Sequence, residues 1–181
     1  MKQQIAANLE VAFSQYGFAE PNVDKLKTAC NVSLRTLYKH YPSKESMVIA
    51  ALDYRHQRYL AYLESERPED GVQSIVHTFQ KLGDWMADYA PHGCLSMNAI
   101  AAFPKQVQIN QAVLQHKAEV RDLLGKYSQR PDLANTLLVL HEGISSAWPI
   151  LGENAISSAT SALLTLLNHS EMTTSNQEYS L

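Results

Sequence analysis

Long hydrophobic runs are missing from this sequence, and that absence removes one class of protein at once. No stretch approaches the roughly 18 consecutive apolar residues that a membrane-spanning helix needs, so no membrane partner is expected. Cysteine is scarce: the two present, Cys30 and Cys94, lie far apart and form no Cys-x-x-Cys pair. A disulfide framework is therefore excluded, and a reducing cytoplasm is the expected location. Met1-Lys2 leads straight into a polar-interrupted amphipathic stretch without cleavage-site chemistry, so no secretory signal is expected. There is no glycine-rich phosphate loop, no internal repeat and no low-complexity tract.

A catalytic constellation is missing too. Seven histidines are spread over positions 40, 56, 77, 92, 116, 141 and 169, with no His-Glu-x-x-His or other close metal spacing. His141-Glu142-Gly143 lacks the second ligand of a zinc helix, and no serine sits in a nucleophile elbow. Neither an enzyme nor a bound metal or cofactor is expected.

What is present is a large stock of core-forming residues: 45% of the chain is hydrophobic and 18% charged, which suits a packed protein. The net charge of −3 argues against indiscriminate coating of nucleic acid, but its distribution is uneven. Residues 1–52 carry six Lys/Arg against four Asp/Glu, a balance of +2; the remainder carries nine against fourteen, a balance of −5. A basic head on an acidic body fits an anionic partner held by the head alone.

Apolar residues recur at helical spacing and strand signals are nearly absent, so the chain reads as all-α. Ile5, Leu9, Ala12 and Phe13 share a face of a first helix that stops at Gly17. Asn22 caps a second helix whose inner face is Val23, Leu26, Ala29 and Cys30. Asn31 is the turn residue, because asparagine tolerates the left-handed conformation. Ser33 caps a third helix from Leu34 to about Tyr41, which Pro42 ends. Ser43 caps a fourth, to about Glu64, with Met47, Ala50, Ala51 and Tyr54 inward.

Ser65 to Gly71 is the clearest linker. Beyond it, a long helix runs from Val72 to Tyr89, and a short apolar piece from Cys94 to Phe103 ends at Pro104. A longer helix is expected from about Lys105 to Gln129, then helices over Leu133–Trp148, broken by Pro149 and Gly152, and Ala155–Leu167. This organises the chain as a head over 1–45, a body over 46–170 and a polar, flexible tail over 171–181.

Two short helices joined by a tight turn, the second opening with hydroxyl and basic side chains, form a helix-turn-helix pattern. A major groove about 12 Å wide admits one α-helix, whose first residues meet base edges while flanking groups bind phosphate. On the third helix Leu37 and Tyr41 are i, i+4 partners suited to packing inward, which leaves Arg35, Thr36, Lys39 and His40 free to face DNA.

Ile5, Ala6, Phe13, Gly17-Phe18, Val23 and Leu26, followed by "NVSLRTLYKHYPSKE" from Asn31 to Glu45 and by Leu52, resemble the TetR-type transcriptional repressors over residues 5–52. The ordered run "VS..TLY.HY.SKE" is specific, since it joins core, cap and phosphate-contact types over fourteen positions. The resemblance implies a three-helix helix-turn-helix head on a C-terminal helical bundle that binds a ligand and dimerises. It implies phosphate contacts at Thr36, Tyr38 and Lys44, and base or nearby backbone contacts at Leu34, Arg35, Lys39 and His40; the caps Asn22 and Ser33 complete the candidate set. Arg35 stands where many members have a small residue, Asn31 replaces the usual turn glycine, and with only Met1–Gln4 ahead of the first helix no basic arm is expected.

The same resemblance implies a homodimer on a palindromic double-stranded operator, paired through about Leu133–Trp148 and Ala155–Leu167, and released by a small-molecule inducer. Trp85, Met86, Tyr89, Met97, Phe103 and Trp148 are adaptable apolar or aromatic groups able to line its pocket. Cys94, after a chain break and near His92 at an expected helix start, joins them: both features favour thiolate. Its Gly-Cys-Leu step resembles a subset of these repressors, some of which sense electrophiles or oxidants through cysteine. The alternative class is a helical small-molecule-binding or partner-binding protein that has lost DNA binding.

Overall fold

In the computed structural model, backbone is described for residues 1–175 and side chains for residues 1–167. Among the described residues there are nine α-helices, one 3-10 turn and no strand, so the architecture is all-α as expected. By packing, the chain forms two compact units that are discontinuous in sequence: unit 1 is Met1–Ser65 with Gly93–Val120, and unit 2 is Glu66–His92 with the chain from Arg121 onward. The functional boundary expected after residue 45 falls in the first turn of α4 (Lys44–Glu64).

Unit 1 is built around α1 (Lys2–Tyr16) packed on α4. Ile5, Leu9, Ala12 and Phe13 are all buried, and Gly17 at φ +68° ends the helix. α1 starts at Lys2, so even the short leader expected up to Gln4 is helical. The helices α2 (Val23–Ala29) and α3 (Leu34–His40) follow, each seven residues long. Between them Asn31 adopts φ +51°, the left-handed value for which an asparagine is suited. The core continues into α6 (Leu95–Ala102) and the first part of α7 (Val107–Tyr127), with Leu95, Ala99, Ile109 and Val113 buried against head residues.

Buried at the α1–α4 contact is a charged cluster: Arg55 and Arg58 donate to the two carboxylate oxygens of Glu10. Removing either sign would leave an unmatched charge inside, so the cluster ties the two helices together.

Unit 2 packs α5 (Val72–Tyr89), α8 (Ala134–Leu151) and α9 (Glu153–Ser175), with one 3-10 turn at Pro131–Leu133. Gly83 sits where α5 packs on α9: a Cβ there would stand 2.0 Å from Ile156 Cδ1, so a larger residue would require that side chain to move.

Several expectations need correction. Pro149 does not break its helix, which runs to Leu151. Proline in the last turn forfeits one N–H bond without dividing a long helix, and Gly152 at φ +52° does the stopping. Ala29 is exposed, leaving Leu26 and Cys30 as the buried anchors of that segment. On α4 the inward stripe is rotated: Met47, Val48, Ala51, Leu52 and Tyr59 are buried, whereas Ala50 and Tyr54 are half-buried. α7 runs only from Val107 to Tyr127, shorter at both ends than Lys105–Gln129, and at its C-terminal side Gln129 takes a positive φ of 58°. α9 continues past Leu167 to Ser175, so the tail expected over 171–181 begins inside it; residues 176–181 lie outside the described residues.

Candidate nucleic-acid interface

The presentation of α3 is set by its fixed side. Leu37 is fully buried and Tyr41 nearly so, and the Tyr41 hydroxyl donates to the Lys2 carbonyl at 3.0 Å. With that ridge locked, helix geometry turns the other i, i+4 ridges outward. Leu34 and Tyr38 form one, at 40% and 41% exposure, and Arg35 and Lys39 form a second, also exposed. Thr36 and His40 lie half-buried between these and the scaffold.

Local hydrogen bonds hold the entry of each helix. Asn22 Oδ1 accepts from the Lys25 N–H at 2.9 Å. Ser33 Oγ accepts from the Thr36 N–H at 3.1 Å and lies 2.8 Å from the Thr36 hydroxyl. Ser43 and Ser46 form a reciprocal capping box at the start of α4. The caps expected at Asn22, Ser33 and Ser43 are therefore present, and each orients the first turn that follows it.

The charges of α2 and α3 are disposed differently. On α2, Lys25 pairs with Glu20 at 2.7 Å and lies 3.5 Å above the Tyr16 ring, while Lys27 pairs with Asp24 at 2.9 Å. Among the described residues Arg35, Lys39 and Lys44 form no ion pair. Lys44 is half-buried in the first turn of α4, and burial lowers its pKa from the ordinary lysine value. A cation there faces the positive end of the helix dipole, an arrangement that an anion relieves and that favours phosphate.

The residues expected to line a ligand pocket divide between the units. In unit 2, Trp85 and Met86 are buried, and Tyr89 is 42% exposed with its ring 4.7 Å from that of Trp85. Trp148 is half-buried, close enough to Gly83 that a Cβ there would lie 3.5 Å from its ring. In unit 1, Phe103 packs edge-on to Phe18 at 5.8 Å, and Met97 is 47% exposed. Cys94 is half-buried at the N-cap of α6, with Lys117 Nζ 3.5 Å from its sulfur. Cys30 is buried, and that burial raises its thiol to about 11, which makes it a packing group as expected.

Sequence reasoning missed the contacts that join distant parts of the chain. Glu10 with Arg55 and Arg58, and a stacked His56–His116 pair, carry no local pattern that announces them. The tie from Tyr41 to Lys2 spans 39 residues and was equally silent.

An all-helical chain whose α2–turn–α3 unit projects an unpaired cationic ridge belongs, as a class, with helix-turn-helix proteins. Residues 7–51 match the family model described as bacterial regulatory proteins, tetR family, and the chain has the fold of TetR-family regulators. A TetR-family transcriptional regulator from Streptomyces coelicolor superposes with a TM-score of 0.81 at 18% identity, covering 93% of this chain and 90% of that one. A TetR-type regulator from Streptomyces avermitilis gives 0.78 at 19% identity, covering 94% and 98%. The reduced form of NemR from Escherichia coli gives 0.71 at 21% identity, covering 90% and 95%. No curated protein matches the chain by sequence. Among the described residues, no helix is long and apolar enough to cross a membrane.

Proposed function

We propose that this protein is a homodimeric transcriptional repressor that holds a palindromic operator through α3 and releases it on binding a small-molecule inducer. The observation that carries the reading is the contrast in charge: the lysines of α2 are neutralised within the head, whereas Arg35, Lys39 and Lys44 are not. Thr36, Tyr38 and Lys44 take the phosphates, with the caps Asn22 and Ser33 at their edge. Leu34, Arg35, Lys39 and His40 reach bases or adjoining backbone, and Arg35 is the group able to grip guanine through two hydrogen bonds.

Dimerisation is supported by an uncharged face on α8. Thr136, Val139, Gly143, Ser146 and Ile150 are exposed and recur at steps of three and four residues, with Val139 at 69% and Ile150 at 85%. α9 exposes Ser157, Ser161 and Leu164 at the same steps. Small residues permit close helix approach, and the two Leu133–Trp148 and Ala155–Leu167 segments pair with their copies. The inducer belongs with Trp85, Met86, Tyr89 and Trp148; its binding shifts the protein between two states through its differential affinity for them.

Selection of bound duplexes from a random pool, with salt titration on the winning site, tests the head and the dimer together. A palindrome with two half-sites about one DNA turn apart supports both. Weak binding without sequence preference favours the helical ligand-binding or partner-binding alternative.

A further inference from the structure

Two buried imidazoles lie outside the DNA-facing surface. His56 on α4 and His116 on α7 stack with centroids 4.2 Å apart and planes 16° from parallel, both within unit 1. Each reaches a carboxylate on the opposite helix: His56 Nε2 lies 2.7 Å from Glu119 Oε2, and His116 Nε2 lies 2.9 Å from Asp53 Oδ1. Asp53 and His56 are three residues apart on α4, as are His116 and Glu119 on α7, so facing turns make two crossed bonds. Among the described residues no three such side chains converge as metal ligands, which leaves the pair proton chemistry.

The surroundings of His56 favour its neutral ring. A neutral imidazole that donates from Nε2 keeps Nδ1 as an acceptor, and His116 Nδ1 is buried without a hydrogen-bond partner. The carboxylates pull the opposite way, but the Asp53 and Glu119 side chains are 55% and 40% exposed, so water screens them. For His56, burial outweighs the Glu119 hydrogen bond, and the facing His116 adds to burial, so its pKa is lowered. Other polar and charged groups nearby are engaged: the Gln115 amide donates to Glu119 on α7, Lys117 lies by Cys94, and Glu10 of α1 holds Arg55 and Arg58. α6 contributes no titratable side chain from Leu95 to Ala102.

We propose that this crossed pair is a proton-operated joint: with His56 neutral it clasps α4 to α7, and protonation of that ring as pH falls loosens α4 within unit 1. The sign follows from linkage. Folding favours the neutral His56 ring, so the unfolded chain binds more protons. The joint's stability is complete above the ordinary histidine value of 6.5 and is lost as pH falls through the lowered folded value. Lys44 lies roughly 14 Å along α4 from Asp53, so the joint acts on the helix that enters the DNA-facing surface; that last consequence rests on the proposed function.

The test is an NMR titration of the imidazole C2–H signals, with thermal unfolding from pH 7.5 to 5.5 of the native protein and of His56→Gln/His116→Gln. Glutamine can donate the same bonds without titrating. The expected result is a His56 midpoint below 6.5 and an acid-induced fall in Tm larger, by about 2–4 °C, in the native protein than in the double variant. A midpoint at or above 6.5, or equal acid sensitivity in both proteins, overturns the joint. If the double variant does not fold, the native titration and His56→Gln alone decide it. Operator binding at both pH values adds a separate readout. Specific binding that weakens in acid only with both histidines present supports the regulatory consequence, and equal binding overturns that consequence. Absence of specific binding at any pH counts against the proposed function, while the titration still decides the joint.

Discussion

Helices α2 and α3 have the same length, lie side by side in sequence and are each opened by a side-chain cap, yet they do different work. α2 closes its charges onto its own surroundings, Lys25 with Glu20 and Lys27 with Asp24. α3 buries one ridge, Leu37 and Tyr41, and turns Leu34, Arg35, Tyr38 and Lys39 outward without an acid among them. One helix has its charges paired within the protein, and the other leaves its cations unpaired. A basic residue count alone would not separate them, since α2 carries two lysines and α3 an arginine and a lysine.

The largest effects should show where the two helices are alike. Leu26 and Leu37 are both fully buried. Truncating either to alanine should cost about 2–5 kcal/mol of folding stability, read from urea denaturation. A small cost at Leu37 alone would mean that α3 is not anchored as described.

DNA binding should then separate them. Arg35→Ala should lose about 1–3 kcal/mol of discrimination at one base pair of the selected operator, measured by competition between operator variants. Lys44→Ala should weaken all sequences alike and reduce the salt slope by about one. Lys25→Ala and Lys27→Ala should change neither. Equal losses from both helices would break the comparison, because charge pairing would then not mark the reading helix.

Removing the caps sharpens the contrast at smaller magnitude. Asn22→Ala and Ser33→Ala should each cost roughly 1 kcal/mol of stability. Ser33 also holds the Thr36 hydroxyl at 2.8 Å, so its loss should in addition reduce operator affinity more than the loss of Asn22, seen by fluorescence anisotropy at fixed salt.

The helix-turn-helix was legible because its signals are local. Asn22, Ser33 and Ser43 each stand immediately before a helix and bond the N–H three residues on, and the left-handed turn at Asn31 is a property of one residue type. The i, i+4 ridge of Leu37 and Tyr41 follows from helix geometry alone. The Glu10 cluster and the crossed histidine pair were not legible, because their partners stand 45 to 63 residues apart and only packing brings them together. Neither was the fate of Pro149, whose effect depends on how many turns remain after it, nor the grouping of α6 with the head core.

The smallest expected effect concerns the joint between the two helices. Asn31 holds φ +51°, where a side chain carries some strain and glycine carries none. Its N–H bonds the Thr28 carbonyl at 3.0 Å, and the next N–H, of Val32, bonds the Lys27 carbonyl at 3.2 Å. Those bonds fix the turn whichever residue occupies it. Asn31→Gly relieves the strain in the folded chain but gives the unfolded chain more freedom to lose, so the two terms oppose each other. The net change in stability should stay within about 1 kcal/mol, by urea denaturation, with operator preference unchanged. A change in preference would mean that the asparagine side chain, and not only its backbone angle, sets how α3 is presented.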